Sequence, residues 1–326
     1  MEDKITIEHG SGARKTRDLI SEFFVGKFNS ERRVDEDAAL IFNDKLAFST
    51  DSFIIEPEVF RGGNIGKLAV CGTANDLAVR GARPKWMSAS YVIAEGYSME
   101  KLRVISESMA DTARKAGIAI VTGDTKVIGK EDFKGVIINT SGVGEVVNAT
   151  SIADVRCDDV IIITGSLGDH SAAILSEREG IYLESPIESD CAVLYPMLEN
   201  IIRSNDCRFI RDITRGGLTS ILYEVQIATG YGVEVEEVKI PVKPAVREIC
   251  ELMGMDFMGM ANEGKALLCV NPDKVTTVLA KLRMSELGRD AAVIGRITGE
   301  HDKVLLVKED GQAIAMDETT NIPRIC

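Results

Sequence analysis

Five aspartates stand at places where the chain changes character: Asp35 and Asp37 before one apolar run, Asp51 after the next, Asp76 in a stretch of small residues, and Asp124 after a third run. Mg2+ takes carboxylate oxygens, water and substrate phosphates, with few protein ligands per ion. Such a set suits one or more ions around a triphosphate if folding brings the groups together. Asp124 lies in Thr122-Gly123-Asp124-Thr125-Lys126, so a carboxylate and an ammonium leave a strand close together. A second kind of chemistry is offered by Cys326, which follows Pro323, Arg324 and Ile325. Proline has no N–H and a fixed φ, so these residues read as an extended arm. Termini fray unless tied down. A thiol on such an arm can be modified by one protein and then carried into a pocket. The alternative is an incidental cysteine.

The elements that must position these groups follow from pattern. Leu19, Ile20, Phe23, Phe24 and Phe28 predict a helix behind His9-Gly10-Ser11-Gly12. Those glycines could let backbone N–H groups approach phosphate, or simply form a turn. Residues 38–42 and 46–50 read as strands about an Asn43-Asp44 turn. Asn64 can cap a predicted helix to Val79 in which Asn75 and Asp76 either turn toward a site or form an ordinary exposed turn. Strands are expected at 86–94, at 118–121 (short and buried) and at 135–147, with a helix over 99–116 ended by Gly117. A composition break at 148–159 marks a domain boundary. Beyond it a strand over 160–164 leads through a glycine turn to Asp169-His170 at a helix start, an arrangement that suits an anion. Helices follow at 191–202, 219–228, 245–253 and 272–283, and strands at 232–238, 266–270, 291–297 and 303–307. The alternation predicts an α/β fold with mixed sheets. The expected division is an N-terminal domain over 1–155, a C-terminal domain over 156–315 and a flexible tail over 316–326.

Composition narrows the function. The 326 residues, 45% of them hydrophobic, suffice for two domains of ~150 residues. A net charge of −13 disfavours nucleic acid, whose phosphates need basic surface. No apolar run has membrane-spanning length. The N-terminus lacks the apolar centre of a signal peptide. Seven cysteines form no CxxC and no cluster, which argues against zinc and disulfides and for a reducing cytoplasm. Gly62…Gly66-Lys67 has the wrong glycine spacing for a Walker A loop and no Ser/Thr after the lysine.

Longer ordered matches carry a resemblance: HGSG at 9–12, FSTDSF at 48–53, GGNIGKLAVCGTANDLA at 62–78, VTGDTKV at 121–127, GSLGDH at 165–170, RDITRGGL at 211–218, ANEGK at 261–265 and PRIC at 323–326. Over nearly its whole length the chain resembles the HypE family of hydrogenase maturation proteins, within the PurM-like, AIR synthetase-like superfamily. The cysteine tail separates that family from thiamine-phosphate kinases, selenophosphate synthetases and purine-pathway synthetases. Ala13, Ser171 and Ile213 depart from the usual glycine, glycine and proline, and leave open how far the N-terminal loop closes over a nucleotide.

The resemblance implies a PurM-like two-domain fold and a homodimer whose N-terminal strands form a shared barrel. It implies a HypF-type carbamoyltransferase that loads Cys326, ATP-dependent dehydration of the resulting thiocarbamate to a thiocyanate, and delivery of cyanide to iron on a HypC–HypD complex. Mg2+ would be held among Asp35, Asp37, Asp51, Asp76 and Asp124. ATP would contact Gly10, Ser11, Gly12, Thr50, Asn75, Gly123, Asp124, Asp169 and Asp212. Lys126 would sit against the transferring phosphoryl or the amide oxygen, and Glu263 would remove N–H protons, with His9 as an alternative base and a Glu263–Lys265 ion pair as the structural reading. Two rivals remain. A small-molecule kinase or synthetase of the superfamily needs no terminal thiol, and a non-catalytic scaffold needs no Mg-ATP.

Overall fold

The Asn64 side chain accepts hydrogen bonds from the N–H groups of Gly66 (2.9 Å) and Lys67 (3.1 Å), and this cap starts the central helix of the N-terminal half. That helix, Ile65–Val79, is apolar almost all round and therefore buried almost all round. A Cβ on Gly66 would stand 2.2 Å from the Ile105 carbonyl, so only glycine lets the next helix approach this closely. The computed structural model describes residues 4–12, 14–25, 27, 36–129, 131, 133–183 and 185–317. Asp35, Ala13, Phe28 and residues 318–326, including Arg324 and Cys326, lie outside them.

In chain order, α1 (Arg14–Ile20) follows a 3-10 turn at Ile7–Gly10 and passes into a π turn at Ser21–Val25. Then come β1 (Ala39–Ile41), β2 (Leu46–Phe53), a two-stranded ribbon β3 (Val59–Phe60) and β4 (Gly63–Asn64), and α2 (Ile65–Val79). β5 (Ala82–Ala94), α3 (Met99–Ala116), β6 (Ala119–Ile128) and β7 (Val136–Val146) complete the first half. Its sheet has the order β1-β2-β7-β5-β6. The parallel β5–β6 pair is joined through α3, and α2 covers the same face.

The second half holds β8 (Val160–Ile163), α4 (Asp169–Arg178), α5 (Tyr195–Arg203), β9 (Phe209–Asp212), α6 (Gly217–Thr229), β10 (Gly232–Glu236) and α7 (Pro244–Met253). It ends with β11 (Ala266–Val270), α8 (Val275–Arg283), β12 (Ala292–Thr298), β13 (Val304–Val307) and β14 (Ala313–Ala315). Its sheet runs β14-β13-β10-β12-β8-β11-β9. Both sheets are mixed, as the alternation of elements predicts.

Two predicted elements differ. The short buried strand at 118–121 is instead β6, ten residues long and exposed along nearly all of it. Among the described residues it is the sheet edge, paired only with β5, and it stays largely exposed. The helix predicted over 191–202 begins only at Tyr195, because Pro196 fits a first turn and the Leu194 N–H is taken by the Asn75 side chain. Of the described cysteines, all are free thiols and all but Cys157 are buried.

Candidate active site

Alternation along β2 sorts its side chains. Ser49 and Asp51 point toward α2, and Thr50 and Ser52 point to the opposite, open face of the sheet. On the covered side, Ser49 Oγ donates to Asp76 Oδ2 at 2.5 Å. β9 comes in from the C-terminal sheet and places Asp212 there too. Asp37, Asp76 and Asp212 each present a carboxylate oxygen, all within 4.8 Å of one another. Asp37 is gripped by Arg211 Nη1 at 2.8 Å, and Arg211 Nη2 meets Glu224 at 2.6 Å. Asp212 is buried, and among the described residues its Oδ2 has no hydrogen-bond partner.

Like charges this close and this enclosed cannot all ionise. Burial pushes Asp37 up to about 6, with Arg211 opposing and Glu224 adding to the rise. Asp76 and Asp212 are pushed well above the carboxylate range, by burial first and then by neighbouring aspartates. Asp51 is raised by burial and pulled back by Arg215 and by the Ser52 N–H, which donates to Oδ1 at 2.7 Å. Glu263 stands in the same field: burial raises it well above its ordinary value, and Cys191, Asp212, Asp190 and Asp51 add to this. Its backbone N–H is fixed on Asp190 Oδ1 at 3.0 Å. Lys265 pairs with Asp190 at 3.3 Å, so the expected alternative of a Glu263–Lys265 pair is not what forms.

Other predicted residues frame this centre. Asn75 spans the two halves: Nδ2 donates to the carbonyls of Ala192 (3.0 Å) and Glu263 (3.4 Å), and Oδ1 accepts from Leu194 N–H (2.8 Å). It holds the Glu263 loop. Gly12 (φ +82°) packs on Arg215, where a Cβ would come within 2.9 Å of the carbonyl oxygen. Arg215 Nη1 reaches the Gly10 carbonyl at 3.5 Å. Gly12, at the end of the glycine loop, therefore lines a cavity of about 500 Å3 whose walls include Thr16, Asp37, Arg211, Asp212 and Arg215. A larger cavity of about 730 Å3, around Glu58, Tyr97 and Arg178, contains none of the predicted residues.

Several predicted residues are elsewhere. Asp124 pairs in register with Ser90, Asn139 and Ser52, which puts it and Lys126 on the open face, away from Asp51. Their side chains are 63% and 70% exposed and lie 3.4 Å apart. Gly123 serves close strand approach to the Ala89 carbonyl. Thr50 bonds across the strand to the Thr140 carbonyl and Ser141. Asp169 is buried with Ser166 (2.8 Å) and Lys243 (2.7 Å) in a separate network. His9 Nδ1 accepts from the Thr6 N–H within its own turn. Two departures are simply structural: Ser171 Oγ donates to the Ala261 carbonyl, and the Ile213 N–H, which a proline would lack, donates to Lys265. Arg211, Glu224 and Arg215 were not foreseen; Arg211 and Arg215 lie inside the RDITRGGL motif, but only the tertiary fold aims them.

Fold and site define the broad class first. Residues 35–146 match the AIR synthase related protein N-terminal domain, and residues 156–308 match its C-terminal domain. The chain is 42% identical to the carbamoyl dehydratase HypE of Escherichia coli (strain K12) over 336 aligned residues, covering 99% of this chain and 100% of that one. A crystal structure of a HypE–HypF complex superposes with a TM-score of 0.88 at 40% identity, covering 92% of this chain and 99% of that one. A HypE structure in complex with ATP gives 0.83 at 36% identity, covering 99% and 100%. The chain belongs to the HypE carbamoyl dehydratase family.

Proposed function

We propose that this protein dehydrates an S-carbamoyl group on Cys326 at the expense of ATP. In balance, R–S–C(=O)–NH2 and ATP give R–S–C≡N, ADP and phosphate. The amide oxygen leaves on the phosphoryl group, because an amide oxygen alone is a poor leaving group. What supports this reading most is the enclosed trio Asp37, Asp76 and Asp212 with Glu263 in the same field. The orphaned Asp212 oxygen and the crowding of carboxylates fit a divalent cation. Mg2+ held there by Asp37, Asp76 and Asp212, with Asp51 beside them, would neutralise phosphate charge.

Glu263 is the proposed base. Burial raises its proton affinity, which suits removal of the amide N–H protons. Gly12 lines the cavity proposed for the phosphates, and Gly10 and Ser11 precede it in the same loop. Asp124 and Lys126 would join the chemistry only from a second copy docked on the open face. Exposed Phe48 and Trp86 on that face support a homodimer. The domain limits 1–155 and 156–315 are consistent with two sheets that share no strand. The HypE–HypF relative supports a HypF-type partner that carbamoylates Cys326, and cyanide would pass to a HypC–HypD complex for hydrogenase maturation. Free thiols fit a cytoplasmic protein. Among the described residues no helix is long and apolar enough to cross a membrane.

Mass spectrometry of the C-terminal peptide tests the reaction. Carbamoylated wild type should lose the mass of one water only with Mg-ATP, and Cys326→Ser should accept no carbamoyl group at that position. ATP turnover that survives Cys326→Ser unchanged would instead favour a small-molecule kinase or synthetase.

A further inference from the structure

The chain is pinned just before its C-terminal segment begins. β14 pairs antiparallel with β13, and Met316 follows it. The Met316 N–H donates to the Val304 carbonyl at 3.0 Å, and the Met316 carbonyl accepts from the Tyr223 hydroxyl at 2.5 Å. Its side chain packs against the core. Tyr223 lies on α6, six residues and so ~9 Å along the axis from Gly217, where the helix starts beside Arg215 and Gly12.

The neighbouring residue gives this contact its meaning. Glu224, one step and ~100° around the helix, turns the other way to Arg211, which holds Asp37. A single turn of α6 therefore grips the acidic centre with one side chain and the root of the C-terminal segment with the next. Gln226, also on the Tyr223 side, adds a bond to the Asp302 carbonyl ahead of β13 at 2.9 Å. A buried tyrosine often satisfies its hydroxyl on whatever carbonyl is near. Here the carbonyl is the last one before the ten residues 317–326 that lead to Cys326.

We propose that Tyr223 is a positioning residue that fixes the origin of the C-terminal segment relative to the acidic centre, and so sets how often Cys326 arrives there. The proposal rests on the dehydration reading above. Ten residues reach at most ~33–36 Å. Effective concentration falls roughly as the −3/2 power of tether length. Fraying residues 313–316 would move the last fixed point four residues further from Cys326 and remove its fixed starting direction.

The test uses full-length protein carbamoylated on Cys326, with single-turnover loss of water followed after Mg-ATP addition. Tyr223→Phe should slow that step by about 2- to 5-fold and speed amide exchange at Met316. It should leave ATP affinity unchanged. It should also leave unchanged the dehydration of a carbamoylated 317–326 peptide supplied to Cys326→Ser protein. An unchanged intramolecular rate overturns the proposal. So does an equal fall for tethered and free substrate, which marks general damage. Wild-type protein that loses no water with Mg-ATP sinks the dehydration reading itself.

Discussion

Asp76 and Asp124 are aspartates of the same N-terminal half, and their surroundings are opposite. Asp76 sits under β2 on a buried helix, bonded to Ser49 and crowded by Asp37 and Asp212. Asp124 sits on an uncovered edge strand beside Lys126. The difference comes from layers. α2 and the C-terminal domain close one face of the sheet, and among the described residues nothing closes the other. Burial and crowding raise the proton affinity of the first group, whereas the second is a solvated ion pair of the kind that contributes little to stability. Chemistry in this molecule is therefore expected to centre on the closed face.

The largest effect should come from removing the base on that face. Glu263→Gln should lower dehydration by about 10²- to 10⁴-fold while ATP affinity stays within about threefold, as measured by single turnover and calorimetry. Retained dehydration would break the assignment of Glu263.

A smaller effect should appear with pH. The unfolded chain releases its aspartate protons near ~4, whereas folded Asp37 holds its proton to about 6 and burial and neighbouring aspartates also raise Asp76 and Asp212 well above their ordinary value. The folded state binds more protons over this window, so the metal-free protein should lose stability as pH rises from ~4 through 6. Mg2+ competes for the same oxygens, so its affinity should rise with pH and its binding should release protons. Titrations in two buffers of different ionisation enthalpy would show it, and pH-independent Mg2+ affinity would argue against the trio as the ligand set.

The smallest effect sharpens the contrast directly. Asp76→Asn removes a crowded carboxylate while keeping an acceptor for Ser49, so metal-free protein should gain roughly 1 kcal/mol. Asp124→Asn should change stability by less than about 0.5 kcal/mol. Paired denaturant melts without Mg2+ decide this; equal shifts would mean the two environments are less different than their burial suggests.

Much of the scaffold was legible because local rules decide it. Asn64 caps α2 wherever the helix goes, Gly117 ends α3 in the left-handed region, and β-branched runs formed strands. Asp37, Asp76 and Asp212 were among the residues singled out. The errors came where coverage matters. An apolar run at 118–121 reads as buried from composition, but β6 is an edge. Asn75, singled out for a nucleotide, also uses its amide to bridge the two halves, a role that spacing along the chain does not show.

By itself the sequence determined the elements, their mixed α/β order, the family and the supply of carboxylates, because periodicity, caps and ordered motifs are local. Only the tertiary structure decided which carboxylates meet. Asp212 is 136 residues from Asp76, and sheet alternation sends Asp51 and Asp124 to opposite faces. Proximity across the domain junction, and the desolvation that raises these groups, belong to packing and cannot be read from spacing along the chain.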